Sequence, residues 1–166
     1  MVISEDEQHQ AQKLLQQLSA QPFDVGVFVG GHLDKRLPLV FWQSLMSQLN
    51  TLQTRFIVLV GPEEETLRPH LEAYTGDYGT LAPCMPLRIF AACLKELPRL
   101  ITPDTGPMHM AVALDVPVTV ILNIEGSMKF APHGPHDTVL FQPALHEIVL
   151  TLTADSVLTE AMTHAA

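Results

Sequence analysis

The sequence predicts an α/β domain in which helices cover both faces of a mainly parallel sheet. Short apolar runs rich in β-branched residues alternate with longer segments whose apolar residues recur at helical spacing. Strands that alternate with helices of about ten or more residues are typical of βαβ units. Hydrophobic residues make up 47% of the chain and charged residues 16%, which favours strands buried on both faces. We therefore expect a Rossmann-like fold.

The length of the chain predicts one domain. Its 166 residues are enough to bury a sizeable core. The sequence shows no internal repeat, low-complexity tract or long linker, so we expect a single domain over residues 1–166.

The first half of the chain predicts an opening helix followed by βα units. Ser4 and Glu7 form a capping-box pattern ahead of an amphipathic helix, and Pro22 ends that segment. The other elements predicted here are strands over 24–31 and 55–62, a helix after Pro38, and a helix over 63–74 that Pro69 should kink or shorten.

The second half continues the alternation after a loop rich in Gly, Thr and Pro. It predicts helices at about 86–97 and over 105–114, and strands over 99–102, 118–123 and 138–142. A turn-rich stretch over 125–137 precedes the last strand, and a short terminal helix is expected over 153–162.

Charge and cysteine content argue against several classes of function. The formal net charge of −9 argues against nucleic acid or an anionic membrane as the main partner, although a helix N-terminus can still bind a phosphate locally. Cys84 and Cys93 match no zinc or redox spacing, which predicts free thiols in a reducing cytosol. The acidic N-terminus and short apolar runs predict a cytoplasmic chain without signal peptide or transmembrane segment.

Two further sequence patterns weigh against cofactor chemistry. His133 and His136 flank a Gly-Pro pair with no evident third ligand, so we interpret HGPH as a turn and expect no metal. A G-x-G-x-x-G pattern does not follow the first strand, which leaves a dinucleotide oxidoreductase unsupported.

Three loops are placed where an open parallel sheet binds ligands. Such sheets bind at the carboxyl ends of their strands, near the point where the strand order reverses. The loops are GGHLDKRLP, GPEEE and PDTGPMH, and each follows a predicted strand.

The third loop has two interpretations. Thr105 is a plausible N-cap, Gly106 leaves room for close approach, and Pro107 suits a first helical turn. Free N–H groups and the helix dipole would then form an anion site beside Asp104, to which His109 adds a donor. The alternative is a capped and buried helix without a ligand.

The charged residues of the other two loops are also open to two interpretations. Lys35 and Arg36 are either solvated loop charges or cations that reach back over a phosphate site. Glu63, Glu64 and Glu65 either form a charged first helical turn or supply a carboxylate to a ribose hydroxyl pair.

In order and spacing, these loops resemble the C-terminal domain of glycosyltransferase family 9, the ADP-heptose:lipopolysaccharide heptosyltransferases. The family's K-x-W-P loop, G-G-P-x-E-like turn and D-[ST]-G-x-x-H block correspond to KRLP at 35–38, VGPEE at 60–64 and DTGPMHMAVALDVP at 104–117. The segment CMPLRIFAACL at 84–94 is also similar. The resemblance covers about residues 24–140.

The resemblance implies one half of a GT-B fold and a set of donor-binding residues. Lys35 would contact the sugar diphosphate, Glu64 the ribose (Glu65 if the turn slips by one), and Met85 the adenine. The complete set implied is Lys35, Glu64, Met85, Asp104, Thr105, Gly106 and His109, with Lys35, Glu64 and Asp104 converging at the carboxyl edge of the sheet.

The chain departs from the family pattern at two places and resembles only one of the family's two domains. Leu37 replaces a tryptophan, and LNIEGSMKF at 122–130 replaces an aromatic-Gly-x-Thr-Asp-Pro stretch. The family's active site lies between two Rossmann-like domains, with its catalytic acid in the N-terminal one, so we expect no catalytic residue here.

The resemblance predicts the nucleotide-sugar-binding half of a transferase. It would bind a donor such as ADP-heptose and, joined to its N-terminal domain or a partner chain, serve transfer to a lipopolysaccharide-type acceptor. The resemblance also implies that the full enzyme is peripheral to the inner membrane. No cofactor is expected, since the ADP-sugar is a substrate. The alternative is a non-catalytic nucleotide- or partner-binding module. An aspartic protease is disfavoured because DTG there needs an all-β setting and a second aspartate.

Overall fold

The computed structural model describes residues 1–32, 35–123, 131–132 and 134–152. Six strands form one parallel sheet. They are β1 (Val25–Val29), β2 (Phe56–Val60), β3 (Gly79–Leu81), β4 (Leu100–Pro103), β5 (Val118–Leu122) and β6 (Thr138–Phe141). Their order in the sheet is β3-β2-β1-β4-β5-β6.

Helices connect the strands. They are α1 (Glu5–Leu18), α2 (Leu39–Thr51), α3 (Arg68–Glu72), α4 (Leu87–Lys95) and α5 (Gly106–Ala113). A 3₁₀ helix (Pro62–Leu67) precedes α3, and residues 145–152 are also helical.

The strand order reverses between β1 and β4. The chain runs outward from β1 through β2 to β3, and then returns to place β4 on the other side of β1. The loops that follow β1 and β4 therefore leave the sheet side by side at its carboxyl edge, the position where open α/β sheets bind ligands. The predicted Rossmann-like fold is confirmed.

The core lies on both faces of the sheet because all five residues of β1 are buried. On one face α2 packs Trp42 and Leu45 against Val27 and Val29. On the other face, Met108 of α5 joins residues such as Leu100 and Val120 in a second cluster. Burial on both faces agrees with the apolar composition.

Helix α1 begins with the predicted capping box. The Ser4 hydroxyl accepts a hydrogen bond from the Glu7 backbone N–H at 3.2 Å, and the Ser4 N–H donates to the Glu7 carboxylate at 2.9 Å. Arg88 of α4 also binds the Glu7 carboxylate and donates to the Val2 carbonyl at 2.7 Å. These contacts fasten α1 to α4.

The expectations for the segment after β2 were partly wrong. The predicted helix over 63–74 is a 3₁₀ helix followed by α3, and Pro69 lies in the first turn of α3 instead of kinking a longer helix. Proline lacks an N–H, which a first helical turn does not need. The loop predicted after this helix contains the three-residue strand β3, which is too short to show an apolar run.

Several predictions fall outside the described residues. These are the terminal helix over 153–162, His133 of the HGPH turn, and most of the 122–130 departure. Within the described part of the chain, Cys84 is an exposed free thiol and Cys93 a buried one, whose pKa burial raises to about 11. None of the helices in that part has the length and apolar character needed to cross a bilayer.

Candidate functional site

A cavity of about 560 Å³ opens at the carboxyl edge of the sheet. Its walls come from the loops after β1, β2 and β4, which are the three loops singled out in the sequence. Its volume lies in the range of roughly 300–1,000 Å³ that is usual for small-molecule sites. The lining residues are Phe28, Gly31, His32, Lys35, Gly61, Pro62, Glu63, Glu64, Asp104, Thr105, Gly106, Pro107 and His109.

Asp104 is the buried charge of this cavity. Its side chain is only 4% exposed, and the ammonium nitrogen of Lys35 lies 3.0 Å from its Oδ2. This contact is an ion pair and not a formed hydrogen bond, because Oδ2 has no hydrogen-bond partner among the described residues. The pair joins the loop after β1 to the end of β4, and it leaves the ammonium partly exposed toward the cavity.

His109 approaches the same carboxylate from α5. Its Nε2 lies 3.8 Å from Asp104 Oδ1, and its ring is mostly exposed. Asp104 is therefore flanked by Lys35 on one oxygen and His109 on the other. A group that enters the cavity beside Asp104 meets donors from two separate elements.

Thr105 is the N-cap residue of α5, but its side chain does not cap the helix. The hydroxyl instead bonds back to the Pro103 carbonyl at 3.2 Å and lies 3.1 Å from the Thr102 hydroxyl. The first turn of a helix has N–H groups without intrahelical partners. Because the Thr105 side chain does not accept from them, these groups remain available at the cavity wall. The predicted helix start is observed, while the predicted side-chain cap is not.

Gly106 begins α5 at the cavity wall. A Cβ placed on Gly106 would meet no protein atom within 4 Å. Packing of the protein therefore does not require a glycine at this position. The space that the missing side chain leaves is open to a ligand.

Glu64 and Glu65 have different surroundings, which separates the two candidates for a ribose contact. Glu64 lines the cavity with its side chain 4% exposed, and its Oε1 accepts a hydrogen bond from Arg36 Nη2 at 3.2 Å. Burial raises the pKa of Glu64, and the charge of Arg36 partly offsets this.

Glu65 lies outside the cavity lining. Arg68 donates two hydrogen bonds of 3.0 Å to its carboxylate, and Cys84 donates a third at 2.7 Å. The hydrogen bonds from Arg68 hold the pKa of Glu65 down at about 2. Of these two glutamates, Glu64 is the one that lines the cavity.

Met85 is the one predicted donor-binding residue that does not line the cavity. It is half-buried and packs against two core clusters. The structure therefore brings together Lys35, Glu64, Asp104, Thr105, Gly106 and His109, and leaves Met85 outside the cavity lining.

Sequence reasoning missed two residues of the site. Phe28 forms part of the cavity wall and packs edge-to-face on Phe90, with ring centroids 6.1 Å apart. Arg36 was interpreted as a solvated charge or as a cation over a phosphate site, whereas in the structure it donates to Glu64. The position of Phe28 near the carboxyl end of β1 could have indicated that it lines the site, since open parallel sheets bind ligands at the carboxyl ends of their strands.

Metal binding is not indicated at the site. Within the described ranges, no group of three or more His, Cys, Asp or Glu side chains is arranged to hold a metal ion. The carbonyl of His136 accepts a hydrogen bond from Arg99 at 2.7 Å, which is a contact at the amino end of the sheet.

Comparison with known proteins identifies a family. The sequence pattern of Glycosyltransferase family 9 (heptosyltransferase) matches residues 2–149. No curated protein matches the chain significantly.

Solved structures show the same fold. A family 9 glycosyltransferase from Veillonella parvula is 19% identical with a TM-score of 0.72, covering 93% of this chain and 46% of its own. The Escherichia coli heptosyltransferase WaaC is 26% identical in its structure with ADP-2-deoxy-2-fluoro heptose, with a TM-score of 0.61 and coverage of 91% and 47%. The structure of WaaC with ADP is 25% identical with a TM-score of 0.63, and the match covers 91% of this chain and 48% of WaaC.

The chain spans about half the length of these solved structures. Its six-stranded parallel sheet corresponds to one half of a GT-B heptosyltransferase. With the family pattern matched over residues 2–149, the chain belongs to glycosyltransferase family 9, the heptosyltransferase family.

Proposed function

We propose that this chain is the donor-binding half of a glycosyltransferase, and that its cavity binds the diphosphate and ribose of an ADP-sugar such as ADP-heptose. The observation that carries the proposal is the Lys35–Asp104 pair beside the uncapped start of α5. The similarity to WaaC, which was solved with ADP and with ADP-2-deoxy-2-fluoro heptose, supports it.

The diphosphate binds between Lys35 and the start of α5. A lysine ammonium has three donors, so Lys35 can keep its contact with Asp104 and still donate to a phosphate oxygen. The N–H groups and dipole of the first turn of α5 add favourable electrostatics for an anion. His109 supplies a further donor at the same end of the helix.

The ribose binds at Glu64. This carboxylate is fixed by Arg36 and faces the cavity, and a carboxylate at the carboxyl edge of such a sheet is a common acceptor for ribose hydroxyls.

The same contacts serve the transfer reaction in a complete enzyme. As the bond between the sugar and the diphosphate breaks, negative charge develops on the leaving phosphate, and Lys35 with the α5 dipole is arranged to stabilise it. The group that activates the acceptor hydroxyl is expected on the N-terminal transferase domain or a partner chain. The acceptor is a lipopolysaccharide-type molecule, and the chain alone transfers no sugar.

Titration calorimetry with ADP tests the proposal, with UDP as the control for base choice. We expect weak, measurable ADP binding, because a site that lacks one wall leaves much of the ligand in water. UDP should bind more weakly than ADP. Absence of ADP binding would show that the cavity is not a donor site, and sugar transfer by the chain alone would show that it contains its own catalytic base.

A further inference from the structure

Lys35 and Arg36 are neighbours in the chain, but each pairs with a different carboxylate. Lys35 reaches Asp104, whereas Arg36 Nη2 donates to Glu64 Oε1 at 3.2 Å and lies 3.8 Å from Oε2 of the exposed Glu63, too far for a hydrogen bond. Glu64 lines the cavity and Arg36 does not. Arg36 therefore acts on the cavity through Glu64.

The side chain of Arg36 bridges Glu64 and the loop after β1. Arg36 Nε donates to the Gly31 carbonyl at 3.4 Å. Gly31 has a φ of +149°, and a Cβ there would lie 3.2 Å from Arg36 Cα, so the loop closes only with glycine. The guanidinium is held at both ends, and it fixes one oxygen of Glu64.

Gly61 supplies the remaining constraint on this carboxylate. A Cβ on Gly61 would lie 2.6 Å from Glu64 Oε2, so the carboxylate rests directly over the glycine backbone. Glu64 is thus enclosed between the loop after β1 and the loop after β2. Without Arg36, its carboxylate would have a buried position and one hydrogen-bond donor fewer.

We propose that Arg36 is a positioning residue that fixes Glu64 for the 2′- and 3′-hydroxyls of the ribose of a nucleoside diphosphate. This inference rests on the proposed function of the cavity. It assigns to Arg36 a role in selecting ribonucleotides over deoxyribonucleotides, and not a role in holding the phosphates. A carboxylate has about four acceptor sites, so Glu64 can bind Arg36 and still accept from the two neighbouring hydroxyls, provided that its orientation is fixed.

The experiment compares three probes on the full chain: ADP, 2′-deoxy-ADP and inorganic pyrophosphate. The variants are Arg36→Gln, Arg36→Lys and the matched control Arg55→Gln. Arg55 stacks over Tyr78, with its guanidinium 5.4 Å from the ring centroid, at the amino edge of the same sheet. Thermal unfolding of each variant shows whether the fold is retained.

The wild-type chain should prefer ADP to 2′-deoxy-ADP. Arg36→Gln should weaken ADP binding about tenfold, the effect of roughly one hydrogen bond lost, and abolish the preference. Pyrophosphate binding should stay unchanged. Arg36→Lys should restore part of the preference, because lysine keeps the positive charge but cannot donate to Gly31 and Glu64 from two fixed nitrogens as the guanidinium does. Arg55→Gln should leave the affinities for all three probes unchanged.

Four results would overturn the inference. Equal weakening of all three probes by Arg36→Gln would make Arg36 a phosphate ligand or a general support of the loop. Unchanged ADP binding would remove any role for it. A wild-type chain that binds ADP and 2′-deoxy-ADP equally would refute ribose selection while leaving the donor site intact. A wild-type chain that binds none of the probes would refute the donor site as well.

Discussion

The ammonium of Lys35 lies 3.0 Å from Oδ2 of Asp104, a carboxylate whose side chain is 4% exposed. This pair connects the loop after β1 with the end of β4, across the point where the strand order reverses. A buried carboxylate without a partner is costly, so the pair fixes Lys35 at the cavity even in the absence of a ligand. The arrangement gives a local cation to a chain whose net charge is −9.

Replacing Lys35 by alanine should weaken ADP binding ten- to a hundred-fold. The lost contact is a charge-assisted hydrogen bond to phosphate, worth roughly 1.5–3 kcal/mol. Titration calorimetry measures the change, and His109→Ala should cost less because its ring is mostly exposed. Lys13→Ala, on the exposed side of α1, is the matched control and should bind ADP like the wild-type chain. An unchanged affinity of the Lys35 variant would place the diphosphate elsewhere.

Replacing Gly106 by alanine should weaken ADP binding without lowering the stability of the fold. No protein atom lies within 4 Å of the added Cβ, and alanine is favoured over glycine in a helix, so the free energy of unfolding should stay unchanged or rise by up to about 1 kcal/mol. The methyl group occupies the space where a phosphate would approach, so ADP affinity should fall about tenfold or more, as overpacking typically costs. Chemical denaturation and calorimetry measure the two effects.

Gly26→Ala is the contrasting control for the Gly106 variant. Its Cβ would lie 2.5 Å from Leu97 Cδ1 in the core, so this change should lower the free energy of unfolding. Gly26 does not line the cavity. If Gly106→Ala binds ADP as tightly as the wild-type chain, the diphosphate does not approach the backbone of α5.

The sequence alone predicted those parts of the fold and site that depend on local pattern. Apolar runs identified β1, β2 and β5, and the capping box identified the start of α1. The junction at Asp104 was recognisable because a glycine, a proline and an acid between a strand and a helix have few structural solutions. Because the strands were predicted to be parallel, the three loops that follow them were expected at the same edge of the sheet.

Other features could not be predicted, because they depend on tertiary contacts. β3 has three half-buried residues and is stabilised as a strand only by pairing with β2. The difference between Glu64 and Glu65 is set by two arginines, Arg36 and Arg68, which lie in different parts of the chain. Adjacent glutamates look alike in a sequence, and the choice between them required the structure.

Replacing Glu64 by glutamine should change the pH dependence of stability in a specific direction. Burial raises the pKa of Glu64 above its usual value of 4.5, so its stabilising contribution is fully present below that value and is lost as the pH rises through the folded-state pKa. The wild-type chain should therefore gain stability relative to Glu64→Gln on acidification from neutral pH to pH values below 4.5. Thermal unfolding at a series of pH values measures the difference. A difference that is independent of pH, or that moves the other way, would contradict the burial of this carboxylate.

Replacing the neighbouring Glu65 by glutamine should change the pH dependence of stability in the opposite direction. The hydrogen bonds from Arg68 lower the pKa of Glu65 from 4.5 to about 2. Its contribution is therefore present above the unfolded-state value and is lost as the pH falls toward the folded-state value. The wild-type chain should lose stability relative to Glu65→Gln between about pH 5 and pH 2, measured by the same unfolding series. Because Glu65 lies outside the cavity lining, its variant should also keep the ADP affinity of the wild-type chain, while Glu64→Gln should reduce it. If both variants lose ADP binding equally, the assignment of the ribose contact to Glu64 alone is wrong.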